Sequence, residues 1–537
     1  MMFRTCVAAA AAMILAVAAP AFARSFTARD LAMLDRVSSP KVSADGRYVA
    51  YVVRSTDWDA NRGVNALNLI DLRGDVSKPL ALLSAEKGAP SPSWSADGRW
   101  LYFLSSKSGS SQVWRSTPDG SVRQQLTAFP IDVGGFALSP YGRTLIAAVD
   151  MYPDCATFAC TKARDDANGK QKSSGILIKA GQSRIWDSYE DEKRLGIYRV
   201  DHGGQGAPAE AAAIVEGFAA DVPADGDTTS LVVSRDGRTI YFSSSDPAVE
   251  PIGAQAFSRI YQVPLDGSRA PSVLLGRAGT AFGSPALSPD GRQLAYLAVT
   301  QPLLTYGRTA IMLMDLKSGR SREVAPRLDA ALNKIAWSAD GRSLLVTSEE
   351  RGQVRLAQID PASGQVTQLT SDGVVSAFDS ARGTTVFTRE SLQSPAQLFV
   401  QQGSAPPRQL TRAGAAVLAE APMSPSEQFN FPGWNGETVY GYVVKPHGYV
   451  EGRRYPVAFL IHGGPHGSFG NSWSYRWNPQ VWAGMGYAVV TVDFHGSSGY
   501  GEQFGRSKNG LVGAVADMLR TREFGRPSLV DRRPDLR

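Results

Sequence analysis

The sequence predicts an all-β β-propeller followed by the opening strands of an α/β sheet, and three observations predict it. A Ser-x-Asp-Gly-Arg phrase returns along the first three quarters of the chain at intervals close to one propeller blade. Each copy leads into an apolar, strand-like run. Far downstream, Tyr455-Pro-Val-Ala-Phe-Leu-Ile-His-Gly-Gly-Pro-His-Gly467 reads as a short buried strand that stops at two glycines and a proline.

The amino-terminal stretch has its own signature. Arg4 precedes an apolar run from Val7 to Ala19, and Ala21-Phe22-Ala23 is a small-residue cleavage pattern, so residues 1–23 read as a signal peptide. A membrane anchor is the weaker reading, because the run is shorter than the ~20 residues a span needs. Cys6 lies ahead of the run and is not a lipidated first residue of the mature chain. The expectation is an exported protein without a membrane span, periplasmic if the source is a Gram-negative bacterium. In such an oxidising compartment Cys155 and Cys160 read as a small-loop disulfide rather than a metal site, with two inert thiols as the alternative. No cofactor is implied.

At 537 residues, 43% hydrophobic and 20% charged, the chain has the composition of a folded protein and the length of two or more domains. Its formal charge of +6 is spread along the sequence rather than clustered, which argues against a nucleic-acid partner.

The repeats come next. Ser43-Ala-Asp-Gly-Arg47, Ser95-Ala-Asp-Gly-Arg99, Ser139-Pro-Tyr-Gly-Arg143, Ser234-Arg-Asp-Gly-Arg238, Ser288-Pro-Asp-Gly-Arg292 and Ser338-Ala-Asp-Gly-Arg342 share one pattern. Asp-Gly between apolar runs makes a hairpin. The glycines are 52, 44, 95, 54 and 50 residues apart, so four gaps equal one four-stranded unit and one equals two. The wide gap is expected to hold a degenerate blade around Arg184–Tyr189 and Leu195–Val200. A weak copy at Asp379-Ser-Ala-Arg-Gly-Thr-Thr-Val-Phe-Thr388 would close a ring of seven or eight blades over residues 24–415. The phrase resembles the repeat of bacterial propellers of the TolB and prolyl oligopeptidase type. Asp154 to Lys179, polar and glycine-broken, reads as a surface excursion.

After a linker from Leu418 to Pro425, Glu427–Phe431 and Thr438–Val444 read as a hairpin across Gly433-Trp-Asn-Gly436. A strand from Val457, a helix from about Trp477 to Ala483 with Pro479 in its first turn, and a strand from Tyr487 to Val492 follow. Trp477 and Trp482 are expected to pack in the core behind that helix. This β, β, β, α, β order is the opening of an α/β-hydrolase domain, assigned to residues 416–504 and expected to be incomplete. The His462-Gly463-Gly464 turn after the buried strand has the pattern of the loop that supplies an oxyanion-hole N–H.

Together with Ser474-Tyr-Arg-Trp-Asn-Pro-Gln480 and Asp493-Phe-His-Gly-Ser-Ser-Gly-Tyr-Gly501, this stretch resembles the prolyl oligopeptidase (S9) family of serine peptidases. The wording is most like its dipeptidyl-peptidase V and acylaminoacyl-peptidase branch. The resemblance implies hydrolysis of short oligopeptides near the amino end, by a serine nucleophile in a Gly-x-Ser-x-Gly elbow followed by Asp and His. It places His462, Gly463 and Gly464 at the oxyanion loop. Acidic propeller residues hold the substrate's amino group in the family's exopeptidases, which makes Glu190 and Glu192 candidates, although a solvated turn explains their charge as well.

No Gly-x-Ser-x-Gly occurs in these 537 residues. Ser497 and Ser498 lack the elbow's glycine spacing, His462, His466 and His495 lie too early for the general base, and Asp493 precedes any nucleophile, so no triad residue is assigned. Residues 505–537 read as a basic tail outside the family pattern, with a helix of about two turns near Leu511 to Leu519. The chain is then expected to be a catalytically incompetent, truncated peptidase. One side of the Val457 strand should be unpaired. The alternative function is a non-catalytic propeller that binds peptides or a protein partner. Oligomeric state is left open.

Overall fold

The computed structural model describes residues 23–524, apart from 87, 89, 174, 176–183, 186–187, 190–191, 203–205, 219, 224–229, 246–257, 301–306, 465 and 507–509. Up to Gln409 the described chain is almost entirely antiparallel β structure, in five four-stranded sheets, one eight-stranded sheet and one two-stranded hairpin. The eight-stranded sheet is two four-strand meanders joined by a single parallel pair, Val354 with Val374.

The recurring phrase has a local cause. In the Ser288–Arg292 copy, Ser288 Oγ donates to Asp290 Oδ1 (2.6 Å) and accepts from Gln293 N–H (2.9 Å), while Arg292 N–H donates to Asp290 Oδ1 (3.0 Å). Gly291 takes φ +74°, which a side chain would strain. The same three bonds recur around Asp45, Asp97 and Asp340. Ser, Asp and Gly therefore build the turn; the arginine side chain is left in solvent at Arg99, Arg292 and Arg342, while Arg47 pairs with Asp71 (2.6 Å).

Successive sheets share apolar cores, as apolar faces on both sides of a sheet require. Phe103 and Leu101 of the second sheet pack on Leu67 and Leu82 of the first, and Phe242 and Tyr261 of the fourth pack on Ile146 and Ile197 of the third. Val386, Leu398 and Val400 of the last meander pack against Val37, Val49 and Ile70 of the first. Val42 N–H also donates to Asp379 Oδ2 (2.9 Å) across that contact.

The wide gap between repeats is filled differently from the sequence expectation. Arg194–Asp201 pairs along its whole length with Thr144–Met151, so Leu195–Val200 is the third strand of the sheet that begins at Gly135, not part of a separate blade. Arg184–Ile185 and Ser188–Tyr189 form a small hairpin of their own. The extra length is an insertion between second and third strands. It contains the helix Phe158–Gly169, capped by Thr157, and the Cys155–Cys160 disulfide at the helix start.

The carboxyl-terminal sheet has the order Ser426–Pro432, Thr438–Val444, Ala488–Asp493, Val457–Leu460. The first two strands are an antiparallel hairpin, and Val457–Leu460 runs parallel to Ala488–Asp493. The helix Pro479–Gly484 begins with Asn478 as N-cap and Pro479 at its first position, where proline has no N–H to lose. Trp482, like Ala458 and Leu460, packs against the cluster of Tyr442, Val444, Ala483 and Val489, but Trp477 stacks on Trp482 and is 58% exposed, so it is not a core residue. Among the described residues nothing pairs with the outer edge of Val457–Leu460, where Val457 and Ile461 are 44% and 53% exposed. A helix, Gly510–Phe524, closes the other side, burying Ala514, Asp517 and Thr521. It is longer than the two turns expected. Among the described residues no helix is long and apolar enough to cross a membrane.

Residues 24–34 belong structurally with this second body. Phe26, Leu31 and Leu34 join Ala421, Trp473 and Val481 in one cluster, and a Cβ on Gly484 would lie 2.0 Å from Phe26 O.

Candidate oxyanion loop and its interface with the propeller

Val457–Leu460 delivers His462, Gly463 and Gly464 to the carboxyl end of a parallel strand pair, the end at which open α/β sheets bind ligands. Gly464 takes φ +136°, a conformation closed to other residues. Neither the Gly463 nor the Gly464 N–H has an acceptor among the described residues. The His462 ring stacks on Phe494 at 4.2 Å and 9° and shares hydrogen bonds with Ser497 Oγ (2.9 Å) and Gly463 O (2.9 Å). The imidazole is thus a wall of the loop, engaged on both nitrogens. His466 is exposed beside it.

The loop is anchored from below by Asp493, 1% exposed at the end of its strand. Its carboxylate accepts from Phe469 N–H (2.8 Å), Ser468 Oγ (2.9 Å) and Tyr500 OH (2.7 Å). Burial, with the Asp493 charge beside it, pushes the Tyr500 phenol well above its ordinary range, so it stays a donor. Asp493 has no triad role by sequence order, and geometry gives it a positioning role instead. Replacing Asp493 with alanine removes the shared acceptor of three donors, and the Phe469 amide is expected to lose hydrogen-exchange protection by at least tenfold, about 1.4 kcal/mol. Unchanged protection at Phe469 would show that the loop is held by other contacts.

The propeller reaches the loop through the turn 350–353. Asn471 N–H donates to Gly352 O (2.6 Å), Arg351 N–H donates to Gly499 O (3.0 Å), and Gln353 Nε2 donates to Tyr442 OH (2.6 Å). Gly352 and Gly470 touch backbone to backbone, and a Cβ on Gly470 would lie 2.7 Å from Gly352 O. Glu349 accepts from Ser498 Oγ (2.9 Å), and Ser498 N–H donates to Gly467 O (2.9 Å), which links a propeller carboxyl to the loop in two steps. Burial, reinforced by the Asp493 charge, raises the Glu349 carboxyl above its ordinary range.

His495 is buried and bridges two carboxylates. Its Nδ1 lies 2.5 Å from Asp517 Oδ2 and its Nε2 2.9 Å from Glu437 Oε2; its own N–H also donates to Asp517 Oδ2 (2.9 Å), and Trp434 N–H donates to Oδ1 (2.6 Å). Burial disfavours the charged ring, but the bonds and charges of Asp517 and Glu437 outweigh it and hold the pKa above its ordinary value. Phe504 stacks on the ring at 4.2 Å. This imidazole ties the Gly510–Phe524 helix to the hairpin and lies apart from the His462 loop.

Of the other sequence candidates, Glu190 lies outside the described residues, and Glu192 is exposed near the insertion. Glu349, between Ser348 and Glu350, and Asp517, between Ala516 and Met518, carried no signal in the sequence, and Asp493 stood out there only as the acid that precedes any nucleophile. Among the described residues no cluster of three or more His, Cys, Asp or Glu is placed to hold a metal.

A β-sheet array joined to a sheet with a glycine loop at a parallel strand end has the architecture of a β-propeller followed by an α/β-hydrolase-type sheet. Residues 473–519 match the model of the prolyl oligopeptidase family. The dipeptidyl-peptidase 5 of Arthroderma otae is 27% identical over 518 residues, covering 89% of this chain and 69% of that protein. That of Trichophyton schoenleinii is 27% identical over 529 residues, covering 91% and 70%. In structure, the Pyrococcus horikoshii acylaminoacyl peptidase superposes with TM-score 0.70 at 18% identity, over 93% of this chain and 73% of that one. A Mycobacterium tuberculosis puromycin-hydrolyzing peptidase does so with TM-score 0.64 at 18% identity, over 94% and 74%. Across these comparisons the chain is similar to serine peptidases of the prolyl oligopeptidase (S9) family.

Proposed function

We propose that this chain supplies the substrate-gating propeller and the oxyanion half of an exported peptidase of the dipeptidyl-peptidase and acylaminoacyl-peptidase type, acting on short peptides. The observation that carries the reading is the His462-Gly463-Gly464 loop, whose two glycine N–H groups have no acceptor among the described residues at the end of a parallel strand and whose base is fixed by Asp493. In such a site a tetrahedral oxyanion would be stabilised by backbone donors, Gly463 or Gly464, rather than by the His462 ring, which is already engaged on both nitrogens.

The propeller in this reading is a closed ring of seven blades. Support comes from the packing of Val386 and Val400 on Val37 and Val49, and from Gly46, whose Cβ position lies 3.0 Å from Thr384 Oγ1 in the last meander's turn. A ring of this kind admits unfolded oligopeptides and excludes folded proteins. Its contact with the oxyanion loop through Gly352 and Gly470 couples the two bodies where a substrate would enter.

These 537 residues contain no Gly-x-Ser-x-Gly, so the proposal includes that they do not hydrolyse peptides by themselves. That same absence favours the second reading, a propeller that binds peptides without cleaving them. The test is hydrolysis of a panel of chromogenic dipeptidyl and acyl-aminoacyl substrates by the purified chain, with labelling by a fluorophosphonate serine probe. Neither turnover nor label is expected. A labelled serine would overturn the assignment, and mapping it would identify the nucleophile.

A further inference from the structure

The first strands of neighbouring propeller sheets pack on one another, Arg36–Val42 against both Ser93–Trp94 and Val374–Ala381, so they form the inner edges of the array. Arg36 opens the first of these strands, and Arg54 stands directly opposite it on the next. The turn 58–61 that follows joins second to third strands, as the turn 350–353 does, so the two arginines lie at the end of the propeller that faces the oxyanion loop. The other body meets them there. Tyr475, between that loop and the helix Pro479–Gly484, lies under Arg36, with Cζ 4.1 Å from the ring centroid, and its OH donates to Asp35 O (3.0 Å).

We propose that Arg36 and Arg54 bind the carboxylate of a peptide held between the propeller and the hydrolase sheet. The first support is charge. Like charges directly opposite on paired strands repel, and here neither guanidinium has a hydrogen bond or an ion pair among the described residues, although both side chains are partly buried. Arg36 Nε is sealed from solvent without an acceptor. Burial, then the Arg54 charge, lowers the Arg36 pKa from its ordinary value against a smaller effect of Tyr475, as befits a cation without a counter-charge. The nearby acids do not supply one. Asp35 is taken by Ser55 Oγ (2.6 Å), Asp57 pairs with Arg62 (3.1 Å), and Glu390, also beside Tyr475, is pushed up to about 7 by burial and pairs with neither arginine. An added carboxylate would remove both the repulsion and the orphaned donor.

The second support is space. Gly63 on the third strand has no positive φ, so its backbone does not call for glycine. A Cβ there, however, would lie 2.2 Å from Arg54 Nε and 2.3 Å from Cζ, so the missing side chain is what lets the guanidinium rest on that strand. Two planar forks above the Tyr475 ring match the geometry of a carboxylate. That the carboxylate belongs to a peptide rests on the proposed function, which brings short peptides to this seam; the demand for an anion does not.

The test is isothermal titration of the purified full chain with tetra-alanine as the free acid, with its carboxyl-terminal amide, and with that amide carrying glutamate at its third position. At least one of the two carboxylate peptides is expected to bind with Kd below ~1 mM and at least tenfold more tightly than the neutral amide, about 1.4 kcal/mol. Preference for the free acid assigns a terminal carboxylate, and preference for the glutamate peptide assigns a side chain. Arg54→Gln should abolish the preference, and Gly63→Ala, which keeps both charges but displaces the Arg54 guanidinium, should reduce it about threefold. Without peptide, Arg54→Gln should melt no earlier than the unaltered chain, because a repulsion is lost and no contact is. A lower midpoint with the preference intact would make Arg54 a structural residue and overturn the site. Equal affinity for all three peptides would overturn it too, while leaving peptide binding in place, as would saturable binding by none at millimolar concentration or a preference kept by both Arg54→Gln and Arg36→Gln. The hydrolysis and labelling test of the proposed function depends on neither arginine, so the two can fail separately.

Discussion

Replacing Asp517 with alanine is expected to lower the unfolding free energy of the carboxyl-terminal body by about 3–5 kcal/mol, the cost of breaking a buried charge pair while its partner stays in place. Asp517 is 0% exposed and serves three donors at once, the ring and main-chain N–H of His495 and the main-chain N–H of Trp434. Without it Glu437 alone faces the imidazole. The pH dependence follows from the direction of the His495 shift. A histidine whose folded pKa is raised contributes stability that is fully present below its unfolded value near 6.5, and loses it as pH rises through the higher folded value. The unaltered chain should thus lose stability across neutral pH, and Asp517→Ala should flatten that slope. Urea unfolding followed by tryptophan fluorescence between pH 5.5 and 8.5, with Trp434 as a nearby reporter, checks both. A double substitution with His495→Phe should cost less than the two single changes summed, because the pair acts as one unit.

That cluster also shows where a single sequence stops being informative. The turn phrase could be read because it is local: Ser, Asp and Gly satisfy one another within five residues, so composition and spacing are enough. The Asn478 and Pro479 helix start, the 426–444 hairpin and the glycine loop after Val457 are local in the same sense. What failed to appear is non-local. Arg194–Asp201 looks like the start of a blade, and only its pairing with Thr144–Met151, across an insertion of more than forty residues, makes it a third strand. Asp517 reads as one acid in a basic tail until the fold brings it to His495, and Glu349 becomes a partner of the His462 loop only when Gly352 meets Gly470. Trp477 was misplaced for a related reason. Helical spacing puts it behind the helix, but the helix begins after it, at Pro479, and the ring is left stacked on the outside of Trp482.

Glu390→Gln is expected to raise stability at pH 8 by on the order of 3 kcal/mol while changing little at pH 4.5. Glu390 ends a strand of the last propeller meander and faces the Trp473 backbone and the Tyr475 ring of the second body. Burial pushes its carboxyl up from 4.5 to about 7, against the small opposing effect of the Trp473 N–H. A carboxyl held neutral in the folded chain up to about 7, but ionised in the unfolded chain above 4.5, releases its proton on unfolding within that window. Raising the pH from 4.5 to 7 therefore favours unfolding, and above 7 the loss is complete and constant. Glutamine keeps the shape and the acceptor and cannot ionise, so the variant should show a flat profile where the unaltered chain slopes. Because Glu390 sits where the propeller meets the second body, the same carboxylate should loosen that contact before it unfolds either part. Trypsin cleavage near the Ala415–Glu420 helix, which follows the last meander and comes before the hydrolase hairpin, reads the contact directly. It should be faster at pH 8 than at pH 5 in the unaltered chain and pH-independent, after correction for trypsin's own profile, in Glu390→Gln. A parallel slope in both proteins would mean that the neutral-pH dependence comes from His495 alone, and would place the pH-sensitive contact inside the second body rather than between the two.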